Sequence, residues 1–152
     1  MARFLADANV LSEATKSTPD LVVVDWLRRN ERLLTVDPVI LGEIRFGILL
    51  LPDGRRRRKL EDWFNKVVRR IECLAWDART GGRWADLLAQ TRRAGRTMAV
   101  RDSLIASTAL TYSLTLATRN VHDFAECGLT LVNPFDSTPA QQPAPSEQQS
   151  PS

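Results

Sequence analysis

Histidine and cysteine are nearly absent from this chain. His122 is the one histidine in 152 residues, which excludes a metal site built on two imidazoles. The two cysteines, Cys73 and Cys127, form no Cys-x-x-Cys pair, so a thiolate zinc site and a disulfide framework both fall away. A reducing compartment suits such usage. Apolar runs are short, Ile48-Leu49-Leu50-Leu51 among them, against the roughly 20 residues that span a bilayer. The N-terminus turns acidic at Asp7 before a signal-peptide core could form. The expectation is a cytoplasmic protein with no membrane contact. Neither a Gly-x-Gly-x-x-Gly nor a Walker pattern occurs, so the usual phosphate-cradling loops are missing. A Ser/His/Asp hydrolase pattern is missing too.

What remains is an ordinary globular balance. Hydrophobic residues make up 43% of the chain and charged ones 26%, with a formal net charge of +3. That length and balance suit one domain with a core of its own. The slight basic excess permits a polyanionic partner without requiring one. Near Asp136 the composition shifts to Ser, Thr, Pro, Gln and Ala. Such a segment has too little apolar surface to offset its ordering entropy. The reading is therefore a domain over 1–135 and a disordered tail over 136–152.

Within the domain, short apolar runs alternate with helical patterns. Residues 3–6, 33–36, 71–74, 114–117 and 129–132 read as strands. Helical spacing appears around Val22–Leu27, from Pro38 to Leu51, around Leu60–Val68, from Asp77 to Thr91 and from Arg101 to Tyr112. Asp37-Pro38 has the form of an N-cap followed by a first-turn proline. The Gly81-Gly82 pair reads as a helix irregularity. Alternation of this kind predicts an α/β fold with a small, mostly parallel sheet flanked by helices. The working site of such a sheet lies beyond the C-terminal strand ends.

Four acids stand where that rule points. Asp7 directly follows the first strand, in what reads as a loop; a turn aspartate is the plain alternative. Glu43 shares a helical face with Ile40, Phe46 and Gly47. A carboxylate beside an apolar stripe needs a salt bridge, a proton or a cation. Asp102 opens a helix, where it could equally cap free N–H groups. Asp123 follows the fourth strand, with Asn120 at the strand end; it too could be a turn residue. A cluster of oxygen ligands without thiolates selects hard cations, Mg²⁺ or Mn²⁺. Such ions can clamp a phosphodiester and activate water.

At these positions the chain resembles the PIN-domain family, in particular the VapC-type ribonuclease toxins of VapBC toxin–antitoxin pairs. Leu5-Ala6-Asp7-Ala8-Asn9-Val10-Leu11-Ser12-Glu13 resembles that family's opening D-T-N-V-L-S-E block. Leu41-Gly42-Glu43-Ile44-Arg45-Phe46-Gly47 resembles its second. Arg101-Asp102-Ser103-Leu104-Ile105-Ala106 resembles its D-x-L-I-A helix. Thr118-Arg119-Asn120-Val121-His122-Asp123-Phe124 and Val132-Asn133-Pro134-Phe135 resemble its closing blocks. Ala8 stands where the family usually has threonine, and the tail lies outside the resemblance. The resemblance implies a metal site of Asp7, Glu43 and Asp102, completed by Asp123, with Asn9 orienting Asp7 and Asn120 nearby. It implies endoribonucleolytic cleavage with Mg²⁺ or Mn²⁺, a VapB-like antitoxin partner, a homodimer, and operator DNA bound only through the antitoxin.

Two basic clusters fit an RNA substrate. Arg55, Arg56, Arg57, Arg58 and Lys59 form one; Arg92, Arg93 and Arg96 form the other. Phosphate contacts from such groups give affinity without reading sequence. A solvated helix end is the plain alternative. Two rival functions remain open. One is a non-catalytic PIN-fold protein that binds RNA or a partner. The other is a phosphatase of the haloacid dehalogenase class with Asp7 as nucleophile, although Asn9 stands where that class wants a second aspartate.

Overall fold

The structure is a computed structural model that describes residues 3–136. The expected tail falls outside the described residues, Asp136 apart. Five short strands, β1 (Phe4–Ala6), β2 (Leu34–Val36), β3 (Glu72–Cys73), β4 (Thr115–Ala117) and β5 (Thr130–Val132), form one sheet in the order β3-β2-β1-β4-β5. Every pairing is parallel. The expected mostly parallel sheet is thus parallel throughout.

Parallel strands need crossover helices, and those helices cover both faces. Accordingly the central strands carry apolar residues on both faces, and Leu5, Ala6, Val36, Leu116 and Ala117 are fully buried. The helices are α1 (Ala8–Glu13), α2 (Leu21–Arg29), α3 (Pro38–Leu49), α4 (Arg55–Lys66), α5 (Ala78–Arg93) and α6 (Val100–Thr111). Ile40, Ile44 and Ile48 form the buried stripe of α3 at helical spacing. On α6 the small residues Ser103, Ala106, Ser107 and Ala109 are buried, which lets α5 and the sheet approach closely. Gly81 and Gly82 lie inside a continuous α5 rather than at an irregularity.

The one helix not anticipated is α1. Asp7 does not sit in a loop; it is the N-cap of α1 and accepts from the Ala8 amide at 2.8 Å. Strand and helix are joined by that single residue.

Asp37 plays the corresponding part on the next strand. Its Oδ1 accepts from the Ile40 amide at 2.9 Å, and its Oδ2 accepts from the Thr108 hydroxyl at 2.7 Å. One buried carboxylate therefore caps α3 and ties it to α6. Burial pushes its pKa up, the Ile40 and Thr108 donors act against this, and the charge of Asp7 adds to the rise. The folded chain then holds the Asp37 proton more tightly than the unfolded one. Stability from this group accordingly falls as pH rises from the ordinary carboxylate range toward the raised value. Asp37→Ala should cost about 2 kcal/mol, through the lost cap and the lost bond to Thr108, whose hydroxyl keeps only the longer 3.4 Å contact to the Leu104 carbonyl. Asp37→Asn keeps a capping oxygen and should cost much less, while flattening that pH dependence. Urea melts of both variants at several pH values check this; equal losses would mean that the cap contributes nothing.

Candidate active site

The strand order reverses direction between β1 and β4. From β1 the chain steps outward to β2 and β3, then returns to place β4 and β5 on the other side. Such a switch point leaves a crevice at the C-terminal strand ends, where ligands bind in open α/β sheets. Asp7 follows β1 and Thr118 follows β4, so the two flank that crevice. The Asp7 amide continues the ladder to the Ala117 carbonyl at 2.9 Å.

Asp7 is fully buried and held from several sides. Besides the Ala8 amide, the Thr118 hydroxyl donates to its Oδ2 at 2.8 Å. The remaining donor is Arg101, whose Nη2 lies 2.5 Å from Asp7 Oδ1. A buried carboxylate requires such donors, because an unpaired buried charge is costly.

Arg101 gathers two more acids. Glu43 Oε2 lies 2.6 Å from both its Nε and its Nη2. Asp102 Oδ1 lies 2.8 Å from its Nη1. Three acids from three separated stretches, after β1, within α3 and in the first turn of α6, thus meet on one guanidinium. Exposure grades outward across the group: Asp7 0%, Asp102 15% and Glu43 40%. Partial burial works against the Arg101 charge, yet the acids outweigh it, with Asp7 foremost, so its pKa stands above the ordinary guanidinium value.

Several expectations need correction. Glu43 lies at the exposed rim of α3, and Phe46 is exposed beside it; the apolar stripe lies on the other side of the helix. Asp102 does not cap α6, whose N-cap is Ala99. Asp123 is exposed on the turn Val121–Phe124 and takes no part in the ion pairs around Arg101. Asn120 is also exposed, and its amide donates to the Thr118 hydroxyl at 3.1 Å. Asn9 makes no hydrogen bond to Asp7. Its Oδ1 accepts from the Arg119 amide at 3.1 Å, which braces the loop that carries Thr118. Asn9 thus reaches Asp7 only through Thr118.

The basic clusters divide. Arg57 is engaged within the fold: it pairs with Glu61 at 3.1 Å and Asp53 at 3.2 Å. Arg55, Arg56, Arg58 and Lys59 are exposed in the first turns of α4. No side chain caps that helix, and positive charge there opposes the helix dipole. Arg92 and Arg93 end α5, where the dipole favours them. Arg96 pairs with Glu126 at 2.8 Å. No described helix is long and apolar enough to cross a membrane.

The donor set of Asp7, Glu43 and Asp102 suits a hard divalent ion, being all oxygen and already converged on one cation. Among the described residues, no three acids, histidines or cysteines stand close enough together to hold an ion as they are. The acids are spaced around a flat guanidinium, whereas Mg²⁺ takes its oxygens at about 2.1 Å. The chemistry of the site fits the ion, and the spacing fits Arg101.

Comparison with known proteins agrees with this architecture. The plasmid stability protein StbB of Pseudomonas syringae pv. tomato is 32% identical, over 88% of this chain and 99% of that protein. The VapC ribonuclease Y4jK of Sinorhizobium fredii is 31% identical, over 86% of this chain and 96% of that protein. The crystal structure of FitAcB from Neisseria gonorrhoeae superposes with a TM-score of 0.78 at 28% identity, covering 87% of this chain and 98% of that one. A PIN domain profile matches residues 4–128, so the chain belongs to the PIN-domain family.

Proposed function

We propose that this chain is a metal-dependent endoribonuclease and the toxin of a type II toxin–antitoxin pair. The observation that carries the reading is the convergence of Asp7, Glu43 and Asp102 on one cation at the switch point of the sheet. Similarity to a protein named a VapC ribonuclease and to one named a plasmid stability protein supports it.

Asp7, Glu43 and Asp102 would hold Mg²⁺ or Mn²⁺, which when bound polarises a phosphodiester and activates water. The protein's part is positioning. Thr118 and the Ala8 amide fix the Asp7 carboxylate so that it cannot rotate away. Asp102 is set by the first turn of α6, and Glu43 by the packing of α3. Asp123 and Asn120 lie on the segment after β4 and would meet the substrate strand from the open side. The exposed Arg55, Arg56, Arg58 and Lys59 would bind RNA phosphates along its path. A VapB-like antitoxin would cover the acids, a second toxin chain would complete a homodimer, and operator DNA would be held through the antitoxin.

Purified chain incubated with total RNA should yield discrete fragments with Mg²⁺ or Mn²⁺, and none with EDTA. Fragments that persist in EDTA would remove the metal from the reading. Intact RNA from a folded, metal-loaded chain would favour the non-catalytic binding protein instead.

A further inference from the structure

Carboxylates crowded at one point repel each other unless a cation stands among them. Here the cation belongs to the chain itself. We propose that Arg101 is a built-in counter-ion of the acid site, which competes with the divalent ion for Asp7, Glu43 and Asp102 and leaves when that ion binds. This rests on reading the acids as a metal site.

Three observations carry it. First, the guanidinium is wholly committed: Nε, Nη1 and Nη2 each contact one or more of the three acids, at 2.5–2.8 Å. The oxygens it holds are those a metal would need. Three acids arranged around a planar fork cannot also close to the shorter oxygen distances of a divalent ion, and among the described residues they do not. The two occupants therefore exclude each other.

Second, Arg101 has somewhere to go. It is 33% exposed at the start of α6, and its neighbour Val100 is exposed beside it. The side chain can turn into solvent with no movement of the helix. Third, α6 gains nothing from the charge. A cation in the first helical turn opposes the dipole, and the residue donates to no backbone carbonyl. Its described partners are the three acids alone.

The arrangement has a specific outcome for the metal-free protein. It holds the acids together and offsets one of their three negative charges, so the site keeps its shape while awaiting the ion. The cost is a weakened apparent metal affinity, reduced by the fraction of molecules in which Arg101 occupies the acids.

The test is calorimetric titration of Mn²⁺ into the metal-stripped full chain and into Arg101→Met, which keeps length and removes charge. The variant should bind Mn²⁺ about tenfold more tightly or better, because the competitor is gone. Binding by the variant alone, with none by the native chain, is the same result in extreme form. Equal or weaker binding by the variant overturns the proposal. If Arg101→Met does not fold, the native chain decides by nitrogen-15 NMR. Added Mg²⁺ should move the Arg101 Nε–H signal to the position of a free arginine and speed its solvent exchange. An unmoved signal, while the Asp102 amide reports bound Mg²⁺, overturns the proposal and leaves the metal site standing. Metal binding by neither native chain nor variant overturns both.

Discussion

Asp102→Asn will leave the protein folded and slow RNA cleavage by at least about 10³-fold. The substitution changes one atom and removes one charge. Its amide oxygen can still accept from Arg101 Nη1, which now contacts Asp102 at 2.8 Å. Arg101 retains Asp7 and Glu43 as partners, so the guanidinium is not stranded. With Asp102 on the partly exposed side of the cluster, the stability change should stay within about 1 kcal/mol. Catalysis has no such reserve. If the three acids hold the metal as proposed, losing one anionic ligand would forfeit several kcal/mol of transition-state stabilisation, and each 1.4 kcal/mol is a factor of ten in rate. Single-turnover cleavage beside a thermal melt separates the two effects. A rate within tenfold of native, from a protein that melts normally, would place the chemistry elsewhere.

Phe124→Ala should cost about 3–5 kcal/mol of stability, the usual range for emptying a buried aromatic site. Phe124 heads the largest fully buried side chains of the described residues. It belongs to the turn Val121–Phe124, the segment that carries Asp123, and it joins the core cluster with Ile105 and Leu116. Its side chain is thus the anchor by which an otherwise exposed loop is fastened to the sheet end. The urea midpoint should fall with an unchanged slope. A midpoint that barely moves would show that the loop is held by its backbone bonds. Because a partly unfolded chain is also a less active one, the RNA-cleavage rate of this variant is informative only well below its melting temperature.

Legibility in the sequence followed the range of the interactions involved. The strands around β1, β2, β4 and β5 were readable from short apolar runs, and α3 from Asp37-Pro38, because those signals are local. The helix α1 was not. It has six residues, too few to show a period, and Asp-Ala-Asn after a strand has the composition of a turn. Asp7 and Asp102 could be placed from chain position and topology. The pattern puts Glu43 on the right helix but on too apolar a face, because its neighbour Phe46 is hydrophobic and yet exposed. Arg101 and Thr118 carry no local signal that marks them as site residues. Arg101 contacts Glu43 and Asp7 across 58 and 94 residues, and an arginine next to an aspartate reads simply as a solvated pair. Periodicity reports which face a residue is on and says nothing of what comes to meet it.

The sheet order also sets a timetable. Asp7 precedes Thr118, its hydroxyl donor, by 111 residues, and β1 has no neighbour on one side until β4 exists. Non-local pairing of this kind forms late in folding, and a chain on the ribosome emerges from its N-terminal end first. The acid centre therefore assembles only after β4 has been made. A growing chain that stops short of β4 has Asp7 without the Thr118 hydroxyl that fixes it.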